Sequence, residues 1–154
     1  MLPMNVEQAR FNMSEQQIRP WDVLDQDVLS LLAQMRREEF CPTAYRAMAF
    51  VDTEVPLPGG QCMLAPKVEA RLLQELQVRK HEQVLEVGAG SGYMSALLAR
   101  QAQHVITLEI EPELARIAAD NLKRAWVMNA QVRHLNGARG LLEEAPFDVP
   151  EAAL

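Results

Sequence analysis

Residues that form disulfides or bind metals are scarce in this sequence. Only two cysteines occur among its 154 residues, Cys41 and Cys62, and they form neither a close pair nor a disulfide framework. The three histidines, His81, His104 and His134, are isolated and lack metal-ligand spacing. We therefore expect two reduced thiols in ordinary packing and no metal site.

An excess of positive charge and long hydrophobic runs are also missing. The formal net charge is -6, which leaves no basic surface for the phosphates of DNA or RNA, so we expect no nucleic-acid partner. The sequence contains no run of about 18 apolar residues. Residues 1–17 lack the charged and apolar regions of a signal peptide. We expect a cytoplasmic protein that does not enter a membrane.

The remaining composition is that of a folded globular chain, with 49% hydrophobic and 23% charged residues. A length of 154 residues is enough to bury one core but hardly two, so we expect one domain. Its first part contains a predicted amphipathic helix, with Asp25 as the N-cap and Arg36 and Arg37 at the C-terminal end. The helical spacing is carried by four apolar residues, Val28, Leu31, Leu32 and Met35.

Residues 40–66 are rich in proline and include the pair Gly59 and Gly60, a composition that breaks regular structure. The segment is therefore predicted to be a long loop. Four apolar residues are available to anchor it: Tyr45, Met48, Phe50 and Val55. Ordered loops of this length inside a compact domain are usually functional, and we favour that interpretation.

From Pro66 onward the pattern alternates between helices and strands. Pro66 suits the first turn of a helix, and further helices are predicted from Tyr93 to Arg100 and from Pro112 onward. Strands are predicted at residues 83–87, 104–108 and 131–135. This alternation is typical of an α/β fold with a parallel sheet and right-handed crossovers, here with about three strands.

A glycine-rich turn joins the first of these strands to the next helix. It contains Gly88, Gly90 and Gly92, with Ala89 and Ser91 between them. Glycines let a ligand approach the backbone closely, and a helix N-terminus offers unpaired N–H groups that suit an anionic group. The alternative is a merely tight turn, but alternate glycines at three positions exceed what a turn needs. We favour a ligand site.

The spacing of the glycines distinguishes between cofactors. A dinucleotide fingerprint needs GxGxxG, and Tyr93 occupies its third glycine position here. The observed GxGxG, with Glu86 near the end of the preceding strand, is the pattern of Rossmann-like methyltransferases. An acid beside the loop suits a cofactor that brings an ammonium and a sulfonium group rather than two phosphates. We therefore expect S-adenosyl-L-methionine rather than NAD.

Further cofactor contacts are predicted after the later strands. Glu109 directly follows the second strand, where a carboxylate can accept the ribose hydroxyls. The alternative is a solvated acid in the first turn of the next helix, where Glu111 and Glu113 also lie. Asn136 and Gly137 follow the third strand, where the adenine would lie in such a fold.

These residues belong to an ordered set of motifs that resembles the protein-L-isoaspartate O-methyltransferase family, and more narrowly a proteobacterial paralogous branch of it. The resemblance runs from about Met4 to Asp148. The motifs are RREEFCP at 36–42, PLPGGQ at 56–61, AP at 65–66, VLEVGAGSGY at 84–93, LE at 108–109 and APFD at 145–148.

The resemblance implies a Rossmann-like, S-adenosyl-L-methionine-dependent methyltransferase fold with an N-terminal helical segment. It divides the single domain into a helical and substrate-loop segment, residues 1–65, and a partial methyltransferase core, residues 66–154. It implies methyl transfer to isoaspartyl carboxylates in damaged proteins, as a step of protein repair. A carboxylate is already ionised and a sulfonium is an activated donor, so no catalytic base is expected. The implied substrate loop consists of Gln61, Cys62, Met63 and Leu64.

Two substitutions depart from the family pattern. The family has a Thr-Ile-Ser-type segment whose serine lies beside the transferred methyl group, whereas this chain has Leu64 in place of the serine. The Gly-Asp-Gly segment expected near the adenine reads Asn-Gly-Ala at residues 136–138. The second change is milder, because an amide can still bond adenine.

The sequence also resembles a shortened member of the family. The family continues from the equivalent of Phe147-Asp148 into a fourth strand and further elements, and we expect Pro150 to interrupt that strand because it lacks an N–H donor. Loss of the strand would leave the edge of residues 84–87 uncovered. We then expect marginal stability and self-association through that edge.

Three hypotheses remain open. The leading one is a methyltransferase of the isoaspartyl type, with weak or absent activity on isoaspartyl peptides because of Leu64 and the shortened chain. A second is a non-catalytic remnant that binds S-adenosyl-L-methionine or a partner chain. A third is a methyltransferase that acts on another substrate.

Overall fold

A computed structural model describes residues 4–135 and the backbone of residues 149–152. It confirms the predicted α/β fold, with a parallel sheet and helices that connect its strands. The helices are α1 (Val6–Met13), α2 (Gln26–Gln34), α3 (Pro66–Leu76), α4 (Tyr93–Gln101) and α5 (Pro112–Arg124). The strands are β1 (Val55–Pro56), β2 (Cys62–Met63), β3 (Gln83–Val87), β4 (His104–Glu109), β5 (Ala130–His134) and β6 (Val149–Ala152). None of the described helices is long and apolar enough to cross a bilayer.

The main sheet has the order β5-β4-β3-β6, and all of its described pairs are parallel. It therefore contains one strand more than the sequence pattern predicted. In β6, Pro150 lies opposite Leu85 of β3. Proline is tolerated at a sheet edge, because alternate N–H groups of an edge strand point away from the ladder. The expectations of an interrupted strand and of an uncovered β3 edge were wrong. Self-association was expected through that edge, so the structure no longer supports it.

The N-terminal half is helical, as predicted. Helix α1 continues into a π-helical turn at Ser14–Ile18 and a 3-10 turn at Arg19–Trp21. Asp25 caps α2 as expected, since its carboxylate accepts hydrogen bonds from the backbone of Asp27 and Val28. The helix ends at Gln34, however, before the two arginines that were assigned to its last turn.

The proline-rich segment contains more local structure than a loop. Its Thr43–Met48 part forms 3-10 turns, and β1 pairs with β2 in a short antiparallel hairpin. The register places Val55 opposite Met63 and Pro56 opposite Cys62. Strands of two residues are too short to show any alternation in the sequence, so the hairpin was not predicted.

One cluster of buried apolar side chains joins the two halves of the chain. It includes Met13 and Leu32 from the N-terminal helices together with Leu73, Leu97 and Val105 from the later elements. Residues on both sides of the predicted boundary at residue 65 therefore belong to the same core. The division of the chain at that residue stays a prediction.

Candidate cofactor and substrate cleft

A cleft opens where β3 and β4 end, between the glycine-rich turn and the segment Gln61–Leu64. It is lined by most of the residues predicted from the sequence: Gln61, Cys62, Met63, Leu64, Glu86, Gly88, Ala89, Gly90, Ser91 and Glu109. Gly92 lies behind them at the start of α4. Asn136 and Gly137 lie outside the described residues. The fold thus brings the predicted cofactor loop and the predicted substrate loop together in the lining of one space.

The glycine-rich turn has a backbone conformation that ordinary residues avoid. Gly88, Gly90 and Gly92 have φ angles of +91°, +54° and +87°. The turn is also tied to its surroundings, since the Gly88 N–H donates to the Leu108 carbonyl at 2.7 Å. The amide of Asn121 donates to the Ser91 carbonyl at 2.8 Å, from α5. The turn is therefore held in place by both neighbouring elements.

Glu109 is the residue that organises this turn. One carboxylate oxygen, Oε1, accepts the backbone N–H groups of Ala89 at 2.9 Å and Gly90 at 3.2 Å. The other, Oε2, accepts the N–H of Glu111 at 3.1 Å. The side chain is buried, so the solvated-acid interpretation does not describe it. A carboxylate has about four acceptor positions, which leaves room for one further donor at Glu109.

Glu86 lies beneath the turn and is fully buried. Its Oε1 accepts hydrogen bonds from the hydroxyls of Ser95 and Thr107, the latter at 3.0 Å. These hydroxyls come from α4 and β4, so Glu86 links β3 to both of these elements by hydrogen bonds. Glu86 lines the cleft, and its contact with the cofactor stays a prediction; its hydroxyl partners were not predicted.

Residues 61–64 are held by the β1–β2 hairpin. The Leu57 N–H donates to the Gln61 carbonyl at 2.8 Å. The Cys62 thiol donates to the Glu54 carboxylate at 2.7 Å, and this bond, with partial burial, raises the pKa of Cys62 to about 11. The thiol stays protonated near neutral pH, so Cys62 is not a nucleophile in this cleft.

Several cleft residues were missed by sequence reasoning. Glu69, Tyr93 and Glu111 line the space, and Arg37 pairs with Glu69 just behind it. The side chain of Arg37 is only 1% exposed. Arg37 stands in a run of charged residues at 36–39, which is typical of a solvated surface, so the sequence carries no local signal of its burial.

The charge of the cleft favours a cationic ligand. Its described lining contains the carboxylates of Glu69, Glu86, Glu109 and Glu111 and no Lys, Arg or His, and the charge of Glu69 is balanced by Arg37 behind the lining. A pyrophosphate would find no cationic side chain among these residues, whereas an ammonium or sulfonium would lie among acids. The described residues also contain no cluster of metal-ligating side chains.

A parallel α/β sheet with a glycine-rich cleft at its strand ends, lined by acids and not by cations, fits the class of Rossmann-like methyltransferases. A model of the family described as protein-L-isoaspartate(D-aspartate) O-methyltransferase matches residues 10–152. The chain belongs to this family.

Curated relatives carry the name of the same family. The protein-L-isoaspartate O-methyltransferase of Koribacter versatilis is 39% identical over 140 residues, which cover 91% of this chain and 63% of that protein. The one from Aeropyrum pernix is 40% identical over 144 residues, covering 91% of this chain and 55% of that protein. This chain thus spans less than two thirds of the length of either relative.

Solved structures show the same fold. A protein-L-isoaspartate O-methyltransferase superposes with a TM-score of 0.76 at 22% identity, over 95% of this chain and 47% of that one. A Plasmodium falciparum protein described as a putative member of the family, in complex with S-adenosyl-L-homocysteine, gives a TM-score of 0.74 at 23% identity. That match covers 97% of this chain and 73% of the other.

Proposed function

We propose that this chain binds S-adenosyl-L-methionine in the cleft and methylates isoaspartyl carboxylates of damaged proteins. The observation that carries the proposal is that the glycine-rich turn and residues 61–64 line one space together with four glutamates. Membership of the family supports the same activity.

The cleft residues fit the proposed cofactor. Carboxylates at Glu86 and Glu109 suit its two cationic groups and its ribose hydroxyls, and Glu109 has one acceptor position left for such a hydroxyl. The positive φ angles of the turn let a ligand contact its backbone. Asn136 and Gly137 remain the proposed adenine contacts. When bound, the cofactor supplies a methyl group on a sulfonium, and transfer to a carboxylate oxygen yields a methyl ester and S-adenosyl-L-homocysteine.

The protein's own part in this reaction is alignment. A carboxylate needs no general base, so the cleft has to hold the substrate in line with the donor and exclude water. Residues 61–64 are the proposed substrate contacts, with Leu64 where the family places a serine hydroxyl. Loss of one positioned polar group commonly lowers a rate by about two to three orders of magnitude, so we expect slow turnover.

Radiolabelled methyl transfer tests this proposal. An isoaspartyl peptide should accept label from S-adenosyl-L-methionine, and the same peptide with ordinary aspartate should not. Calorimetric titration with S-adenosyl-L-homocysteine measures cofactor binding separately. Binding without transfer to either peptide would favour a non-catalytic binding protein or a methyltransferase for another substrate. Failure to bind the cofactor product would contradict the proposal as a whole.

We also infer a cytoplasmic place of action, where thiols stay reduced. The two free cysteines support this inference, since neither is paired in the described part of the chain. The proposed partners are isoaspartyl proteins or peptides, and the net charge of -6 argues against nucleic acid.

A further inference from the structure

A buried arginine, Arg37, contacts both walls of the cleft. Its Nη2 donates to the carbonyl oxygen of Leu64 at 2.9 Å. Its guanidinium lies over the ring of Tyr93, with Cζ 5.0 Å from the ring centroid. Leu64 ends the proposed substrate loop, whereas Tyr93 is the first residue of α4 after the glycine-rich turn. One side chain thus links the substrate side to the cofactor side.

The guanidinium of Arg37 is fixed by two further contacts. Its Nε donates to the Ala49 carbonyl at 2.8 Å, and its Nη1 pairs with the buried carboxylate of Glu69. Burial is the largest influence and lowers the pKa of Arg37, but the charge and hydrogen bond of Glu69, together with Tyr93 and Cys41, outweigh it, and the pKa lies above its usual value. The group therefore stays charged. A buried charge held by several partners has little freedom to move, because any displacement leaves a polar group unsatisfied.

We propose that Arg37 is a positioning residue for substrate binding. It holds the backbone of Leu64 at the distance from the glycine-rich turn at which a substrate carboxylate meets the methyl donor. This inference rests on the proposed function and names a residue that acts through the substrate loop. A lysine cannot replace it, since one compact ammonium does not reach three diverging acceptors as a planar guanidinium fork does.

The chain offers a closely matched control in Arg10, the other buried arginine among the described residues, which is 4% exposed. Arg10 donates to the Met35 carbonyl at 3.1 Å, pairs with Glu38 at 2.9 Å and lies 5.2 Å from the ring centroid of Phe50. None of its described contacts involves residues 61–64. The two arginines therefore share burial, ion pairing and ring stacking, whereas only Arg37 contacts residues of the cleft, at Leu64, Glu69 and Tyr93.

The experiment compares Arg37→Lys with Arg10→Lys in the full chain. Three quantities are measured: Tm, the Kd for S-adenosyl-L-homocysteine, and the Kd for an isoaspartyl peptide at saturating S-adenosyl-L-homocysteine. Both variants should lose a similar number of degrees in Tm and keep their affinity for S-adenosyl-L-homocysteine. Only Arg37→Lys should weaken peptide binding, by about tenfold or more. Equal peptide affinity in the two variants would overturn the proposal.

A second pair of variants covers the case in which Arg37→Lys does not fold. Replacing both members of a buried ion pair by apolar side chains is often neutral for stability. Arg37→Met with Glu69→Met should therefore keep its Tm and lose peptide binding, whereas Arg10→Met with Glu38→Met should keep both. Normal peptide binding by the first of these would overturn the proposal.

The same titrations separate this inference from the proposed function. If the parent chain binds S-adenosyl-L-homocysteine and not the peptide, the proposed substrate is wrong, and the role proposed for Arg37 is wrong as well. If the parent binds both and the Arg37 variants do so equally well, the role of Arg37 alone is wrong.

Discussion

Gly92 packs directly against Ala118, so that a Cβ atom on Gly92 would lie 3.1 Å from the Ala118 carbonyl oxygen and 3.3 Å from its Cα. This contact brings the start of α4 against α5 immediately behind the cofactor turn. Since the neighbouring atoms belong to helical backbone, they cannot move aside as a flexible side chain would. The close approach fixes the turn relative to the rest of the sheet.

Gly92→Ala should therefore lower the free energy of unfolding more than an alanine at another positive-φ glycine that has no close neighbour. The left-handed conformation costs an ordinary residue about 1 to 2 kcal/mol, and overpacking adds about 1 to 3 kcal/mol. Gly59→Ala is the matched control, because Gly59 has a φ of +75° and a Cβ atom added there would meet nothing within 4 Å. Denaturant unfolding of both variants measures the difference. Equal loss of stability would show that the contact with Ala118 is unimportant.

Glu109→Ala should weaken binding of S-adenosyl-L-homocysteine by about 10- to 100-fold, as expected for the loss of a charged acceptor. The variant removes the acceptor of two turn amides as well as the proposed ribose contact. Glu113→Ala is the control, because Glu113 is an exposed acid in the first turn of α5. Calorimetric titration of both variants and the parent with S-adenosyl-L-homocysteine measures the difference in Kd. Unchanged affinity in Glu109→Ala would remove this residue from the cofactor site.

Leu64→Ser should raise methyl transfer to an isoaspartyl peptide by about tenfold or more, since it restores a hydroxyl where the family has one. Leu72→Ser makes the same chemical change at a position in α3 that is 37% exposed, and should leave the rate unchanged. Initial rates with radiolabelled S-adenosyl-L-methionine provide the comparison. Identical rates for the two variants would mean that Leu64 does not limit turnover.

Glu54→Gln should make Cys62 more reactive toward an alkylating reagent. Glu54 raises the pKa of Cys62 to about 11 mainly through its hydrogen bond, and only the thiolate reacts. Removing the carboxylate lowers that pKa, so the thiolate fraction at pH 8 rises and alkylation speeds up by about tenfold or more. Cys62→Ala supplies the background from buried Cys41. A rate–pH curve that does not shift would contradict the assigned role of Glu54.

Much of the site was readable from short stretches of sequence. The Asp25 cap and the start of α3 at Pro66 appear in the structure where they were predicted. The glycine spacing identified the turn, because glycine tolerates positive φ without the steric cost of a side chain. Glu109 was predicted to follow the second strand and is the last residue of β4, at the edge where the parallel strands end; its contact with the cofactor stays a prediction.

The tertiary structure alone decided other features. Arg36 and Arg37 are adjacent and chemically identical, yet the side chain of one is 69% exposed and that of the other is 1% exposed. Pro150 discouraged a strand prediction, yet β6 pairs with β3 at the edge of the sheet. Periodicity, caps and glycine turns depend on residues a few positions apart, so the sequence determined α2 to α5, β3 to β5 and the cofactor turn. The burial of Arg37 and the pairing of β6 depend on partners more than 25 positions away, which only the folded chain brings together.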